Sequence, residues 1–115
     1  MAPPPGPTSL AGTSWIRVDD EQANPHGATI AFEAARASGH TGCNRWFAAM
    51  TQADGSLRFG EIGTTRMACQ TEMQADTERN FLSALRAARF ADRDADTLVL
   101  LDENRRQIAT FQRMS

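Results

Sequence analysis

The stretch from Ser38 to Met50, SGHTGCNRWFAAM, decides how this chain folds, because a glycine-flanked bend over 39–42 runs into an alternating pattern. Successive side chains of a strand point to opposite faces. A strand over 43–50 therefore has two faces: Cys43, Arg45, Phe47 and Ala49 on one, and Asn44, Trp46, Ala48 and Met50 on the other. Cys43 is one of only two cysteines, and much of the functional question depends on its role.

Short β patterns separated by turns lie on both sides of this stretch. We predict strands over 13–19, 28–33, 43–50 and 57–59, a strand that begins at 62–67, and strands over 89–91, 98–101 and 107–113. Turns are expected at 24–27, at 52–55 with its Asp-Gly pair, at 92–96 and at 102–105. The apolar spacing changes to three and four residues over 71–88, where Thr71 and Gln74 form a capping box, so this segment is predicted to be a helix.

Hairpin turns dominate this order, so the sheet should be antiparallel. We predict an α+β fold in which a strongly twisted antiparallel sheet forms an open β-barrel-like domain with one helix packed against it. A length of 115 residues suits one domain. Residues 1–9 are expected to be a disordered, proline-rich leader without the features of a signal peptide, and residues 10–115 the single domain.

Composition narrows the function classes. The net charge is −2 and the arginines are spread singly apart from the pair Arg105-Arg106, which does not suit nucleic-acid binding. The chain has no lysine, so Schiff-base chemistry and a Walker-type phosphate lysine are excluded. No stretch is apolar enough to cross a bilayer. We find no GxSxG or HExxH motif, and the carboxylates lie in turns and on the polar helix face, so we expect neither an enzyme nor a metal or cofactor site.

Cys43 and Cys69 leave three interpretations open. An oxidising compartment would favour a disulfide between them, and a reducing cytosol two separate buried thiols. The third is thiol redox or metal chemistry. It is weakly supported, because the sequence has no CxxC and His40 lies on the far side of a glycine.

Polar residues follow Cys43 and precede Cys69. Asn44 and Arg45 follow the first cysteine directly, and Thr65 and Arg66 precede the second. Either these two segments pack together and satisfy each other's polar groups, or Asn44, Arg45, Thr65 and Arg66 line a binding surface.

Several motifs in this order resemble the META domain, or HslJ-like, family over about residues 10 to 113. They are Ser14-Trp15, Ser38-Gly39, Gly42-Cys43-Asn44-Arg45-Trp46-Phe47, Leu57-Arg58-Phe59-Gly60, Thr64-Thr65-Arg66-Met67-Ala68-Cys69, Glu78 to Leu85 with the sequence ERNFLSAL, and the closing Leu98-Val99-Leu100-Leu101 and Phe111. Ala48-Ala49 departs from the family, which more often has glycine shortly after the aromatic residue. The resemblance implies a β-rich domain with one helix across an open barrel.

The resemblance also carries functional expectations. Members are often bacterial envelope proteins or lipoproteins, linked to heat shock and in one case to novobiocin resistance. We therefore expect a non-enzymatic, monomeric domain of the periplasm or an outer-membrane-anchored lipoprotein, with a stress-related structural or partner-binding role and another envelope protein as the partner. The alternative is a carrier or sensor of an apolar ligand held in the barrel, with Ile30, Phe32, Phe47, Phe59, Phe81 and Leu85 as its wall.

Overall fold

The computed structural model describes residues 10–19, 27–53 and 55–114. The predicted leader and most of the predicted turn at 24–27 lie outside these residues. The described part contains nine strands and one helix: β1 Ser14–Arg17, β2 Thr29–Phe32, β3 Arg36–His40, β4 Arg45–Ala53, β5 Ser56–Phe59, β6 Gly63–Thr64, α1 Glu72–Ala87, β7 Phe90–Arg93, β8 Thr97–Leu101 and β9 Gln107–Arg113.

The strands form an antiparallel barrel. Their order is β3-β2-β1-β9-β8-β7-β5-β4-β6, and a further pairing joins β3 to β4. This pairing closes a ring of eight of the nine described strands, and β6 lies outside the ring. β6 pairs with the same edge of β4 as β5 does, but nearer to the start of β4. The predicted α+β fold, with an antiparallel barrel-like sheet and one helix against it, is confirmed, and the ring is closed through β3.

β3, the strand that closes the barrel, is not among the strands predicted from the sequence. We predicted a bend from Gly39 onward, whereas Arg36 to His40 pair along their whole length with β4 and at Ala37 and Ser38 with β2. Alanine, serine and glycine have little intrinsic strand preference, so long-range pairing overrides the local signal. Gly39 is required here, because a Cβ at this position would collide with the backbone of Thr29 on the neighbouring strand.

The barrel interior is filled by large side chains, and the helix supplies two of them, Phe81 and Leu85. The ring of Phe81 in α1 lies 5.5 Å from that of Trp46 in β4 and 6.3 Å from that of Phe111 in β9, centroid to centroid. Since β4 and β9 lie opposite each other in the ring of strands, Phe81 bridges the two walls. Burying a side chain of this size stabilises the fold by about 1.5–3 kcal/mol. The helix is therefore packed onto the barrel through part of the hydrophobic core.

The helix begins as its sequence predicts. Thr71 is the N-cap, and its hydroxyl accepts a hydrogen bond from the backbone N–H of Gln74 at 3.1 Å. The Gln74 side chain in turn accepts from the backbone N–H of Gln70 at 2.8 Å. Thr77, Phe81, Ala84 and Leu85 form the buried face, while Met73 is half exposed. This start brings Thr77 and Glu78 against the loop that carries Cys43.

Candidate functional site

A disulfide joins Cys43 to Cys69 across two segments that are distant in sequence. The Cα atoms are 5.5 Å apart, and 26 positions separate the residues along the chain. Cys43 lies just before β4, and Cys69 lies just before the N-cap of α1. We call the assembly of loop 41–44, segment 65–69 and Glu78 the disulfide junction; it attaches the start of the helix to the entrance of the central strand.

Asn44 is the hydrogen-bonding centre of the disulfide junction. Its Oδ1 accepts from the Thr65 hydroxyl at 3.0 Å and from the backbone N–H of Met67 at 2.8 Å. Its Nδ2 donates to the Met67 carbonyl at 3.2 Å and to Glu78 Oε1 at 3.0 Å. Both ends of the amide are therefore used, and one side chain connects all three parts of the junction.

Glu78 is held in one orientation by two donors. The Thr41 hydroxyl and Asn44 Nδ2 both donate to Oε1, at 2.8 and 3.0 Å, while Oε2 lies 3.9 Å from the Cys69 sulfur. Thr41 Oγ1 also accepts from the backbone N–H groups of Cys43 and Asn44, at 3.1 and 2.8 Å. The polar groups of the junction thus satisfy one another, as buried polar groups must.

Gly42 lets the loop approach the helix closely. Its φ is +102°, a conformation that favours glycine, and a Cβ there would meet the side chain of Thr77. Thr77 is buried, and its own hydroxyl donates to the Met73 carbonyl at 2.7 Å. The glycine before the cysteine therefore serves a helix contact, which the sequence analysis had interpreted only as a bend.

Among the described residues, one group has suitable atoms for a metal ion. The ligand atoms of Cys43, Cys69 and Glu78 all lie within 4.8 Å of one another. Zinc binds cysteine as the thiolate, and in the disulfide both sulfurs are already bonded to each other. The group could hold a metal only after reduction, when Glu78 and the cysteines would supply three ligands.

The four residues predicted to line a binding surface separate into two kinds. Asn44 is only 3% exposed and lies inside the junction, so its inclusion in that surface was wrong. Arg45, Thr65 and Arg66 are exposed. Arg45 and Thr65 lie side by side, since the Arg45 backbone N–H donates to Thr65 Oγ1 at 3.0 Å and the Thr65 N–H to the Arg45 carbonyl at 3.0 Å.

The residues predicted to form the wall of an apolar ligand site also separate into buried and exposed ones. Ile30, Phe32, Phe81 and Leu85 are buried, and Phe59 is partly buried against the same core. Phe47 is 48% exposed on the outer face of β4, so its place in the interior wall was wrong. The alternation predicted for residues 45–50 of β4 holds, and Trp46, Ala48 and Met50 form the inner face of the strand. No helix among the described residues is both long and apolar enough to span a membrane.

Solved structures resemble this fold over nearly its whole length. The NMR structure of a protein from Burkholderia xenovorans is 28% identical, with a TM-score of 0.71 over 100% of this chain and 93% of that one. The crystal structure of a DUF4847 family protein from Bacteroides vulgatus is 20% identical, with a TM-score of 0.63 over 90% of this chain and 93% of that one, and shows the shared fold alone.

The sequence comparisons identify the family. No match was found among curated proteins. The profile of the META domain family matches residues 8–115, which includes every described element of the barrel and both cysteines of the junction. The chain therefore belongs to the META domain family.

Proposed function

We propose that this META domain is a non-enzymatic module of the bacterial cell envelope, with a stress-related structural or partner-binding role. The observation that carries the proposal is the disulfide junction. Disulfides form and persist in oxidising compartments such as the periplasm and are rare in a reducing cytosol. A periplasmic or outer-membrane-anchored domain is the setting in which this junction would be stable.

The energetics of the junction support an envelope role. In the chain-entropy model, closing a loop of 26 residues stabilises the folded state by about 3.5 kcal/mol. Small domains are stable by only about 5–15 kcal/mol, so this is a large fraction of the total. A domain that depends on its disulfide to this extent benefits from folding where the disulfide forms, and it is better able to withstand heat and other stress there.

The polar chemistry of the junction favours a structural purpose over catalysis. A nucleophile and its base must be available to a substrate. Here the cysteine sulfurs are bonded to each other, Glu78 Oε1 accepts two hydrogen bonds, and the Asn44 amide is occupied at both ends. Arg45 beside the junction and Thr65 and Arg66 within it are exposed and therefore accessible to a partner.

The proposal is tested by trapping thiols in living cells. The full-length gene product is expressed in its bacterial host, cells are treated with a maleimide reagent before lysis, and cytosolic and envelope fractions are analysed by intact mass. We expect the protein in the envelope fraction, unmodified before reduction and carrying two adducts afterwards, one on each cysteine. A cytosolic protein modified at both cysteines without reductant would contradict the envelope role.

The stress-related part needs a separate experiment. A deletion strain is complemented with the wild type or with the Cys43→Ala/Cys69→Ala variant, and survival after heat shock is compared. We expect the wild type alone to restore full survival, because the variant loses about 3.5 kcal/mol of stability. Equal survival of the deletion strain and the wild type would remove the stress-related role while leaving the envelope location intact.

A further inference from the structure

One outer face of the barrel carries basic residues around an exposed phenylalanine. The basic outer face consists of Arg36 and His40 on β3, Arg45 and Phe47 on β4, and Arg58 on β5. All five side chains are exposed. The register places His40 opposite Arg45, Arg36 opposite Ala49, and Arg58 opposite Thr51, so these side chains form a continuous surface across three strands.

The charge of this face contrasts with that of the whole molecule. The chain has a net charge of −2, yet strands β3, β4, β5 and β6 contain no acidic residue. Glu33 and Glu61 lie in the turns next to these strands, Asp54 lies between β4 and β5 in the sequence, and Glu103 lines a pocket together with Arg58. Within the described residues, the two ion pairs are Arg17 with Asp19 and Arg79 with Asp76, and neither involves Arg36, Arg45 or Arg58. The arginines of this face are therefore available to an external anion.

Phe47 is fixed at the centre of the basic outer face. It pairs with Gly63 of β6, where a Cβ would collide with the phenylalanine ring, so the ring packs directly over the glycine. A ring held in this way loses little conformational freedom when it binds a partner. Aromatic residues and arginines are also the side chains that most often dominate binding energy at protein interfaces.

A shallow groove beside Phe47 adds an apolar subsite. It has a volume of about 250 Å³ and is lined by Ala49, Met50, Thr51, Arg58, Phe59 and Gly60. Ala49 follows Phe47 by two positions on the outer side of β4, so ring and groove share one surface. Arg58 belongs to both the groove and the basic outer face. A partner could place an apolar side chain in the groove while its carboxylates reach the arginines.

We propose that the basic outer face binds an acidic segment of a partner protein, with an apolar side chain against Phe47 and the groove and carboxylates on Arg36, Arg45 and Arg58. The proposal rests on the partner-binding role proposed above and specifies the chemistry of the partner. Arginine suits this role because its planar guanidinium donates two parallel hydrogen bonds to a carboxylate. Binding should weaken with added salt, since charges on an exposed face are screened.

The test is fluorescence anisotropy with the oxidised full-length protein and a fluorescein-labelled peptide in which glutamates flank a central leucine. A peptide with lysine at each glutamate position is the control. We expect the glutamate peptide to bind and the lysine peptide not to bind. Equal affinity for both peptides, or no binding of the glutamate peptide, overturns the proposal.

Matched variants locate the binding surface. Phe47→Ala should weaken binding about tenfold, the loss typical of an interface anchor, whereas Val18→Ala removes another exposed apolar side chain and should change little.

Arg36→Gln/Arg45→Gln should weaken binding at least as much as Phe47→Ala and should reduce the salt dependence of binding. Arg86→Gln/Arg106→Gln makes the same change of net charge elsewhere and should leave affinity within about twofold. Circular dichroism confirms that each variant folds, and equal losses in target and control variants contradict the proposal.

Two other occupants give distinct results. Binding to phosphatidylglycerol vesicles, lost in Arg36→Gln/Arg45→Gln and without any binding of the glutamate peptide, would assign the face to an anionic membrane and overturn the proposal. A dimer in light scattering that Phe47→Ala dissociates would assign it to a second copy. A negative peptide result with the protein still oxidised in the envelope fraction would leave the function proposed above intact.

Discussion

Asn44 and Arg45 are neighbours in the sequence and belong to two different regions of the molecule. Asn44 is buried in the disulfide junction, where both ends of its amide are hydrogen-bonded. Arg45 opens β4 on the opposite side, exposed and without an ion pair among the described residues. The junction uses its polar groups to hold the fold together, whereas the basic outer face leaves its polar groups available. Asn44, in the loop before β4, thus serves the junction, whereas Arg45, the first residue of β4, lies on the face that we propose to bind a partner.

Removing the disulfide should break the junction most severely. Cys43→Ala/Cys69→Ala is expected to lower the free energy of unfolding by about 3.5 kcal/mol, because the unfolded chain regains the freedom of a 26-residue loop. Equilibrium urea denaturation measures the change, and wild type with dithiothreitol is the control without a substitution. The outer face should be unaffected while the variant is folded, so its affinity for the glutamate peptide should stay within about twofold. A large loss of affinity in folded protein would show that the two regions are coupled.

Gly42 offers a sharper comparison, because Gly12 is a natural control. Both have a positive φ, +102° and +84°, but a Cβ on Gly42 would collide with Thr77, whereas nothing lies within 4 Å of a Cβ on Gly12. Gly12→Ala should cost about 1 kcal/mol for its backbone alone. Gly42→Ala should cost about 3 kcal/mol, since overlap with the helix is added to the backbone strain. Thermal unfolding of the two variants gives the difference, and equal costs would mean that the loop does not press on the helix.

The helix start should show a smaller effect. Thr71→Ala removes the hydroxyl that accepts from the Gln74 N–H, and it should lower the free energy of unfolding by about 1 kcal/mol. Thr71→Ser keeps the acceptor and should stay within about 0.5 kcal/mol of the wild type. Urea denaturation of the alanine and serine variants tests whether the N-cap stabilises the start of the helix that carries Glu78. Identical stabilities for the alanine and serine variants would contradict this.

Much of the fold could be predicted because its signals are local. The helix is marked by its three- and four-residue apolar spacing and its cap at Thr71, and β4 by an alternation that holds from Arg45 to Met50, although the strand begins two residues later than predicted and Cys43 is buried in the preceding loop. The missing strand β3 has no such signal, because its alanine, serine and glycine are strand residues only through their pairing with β2 and β4.

The candidate site could be predicted only in part. The sequence indicated that the segments around Cys43 and Cys69 could pack together, but it did not indicate that the distant helix residue Glu78 joins them by accepting from Thr41 and Asn44. Phe47 was placed in the wall of the alternative apolar-ligand site, although the alternation puts it on the side of Arg45. Trp46 fills the core from the inner side of β4, and Phe47 lies half exposed on its outer side.

The measurement that tests the account most directly is urea denaturation of Asn44→Ala and Arg45→Ala side by side, both with the disulfide formed. Asn44→Ala should lose about 3 kcal/mol, because it removes an amide that serves three segments and leaves buried groups without partners. Arg45→Ala should stay within about 0.5 kcal/mol of the wild type, as exposed positions usually do. Similar losses in the two variants would contradict the claim that Asn44 holds the fold together whereas its neighbour Arg45 does not.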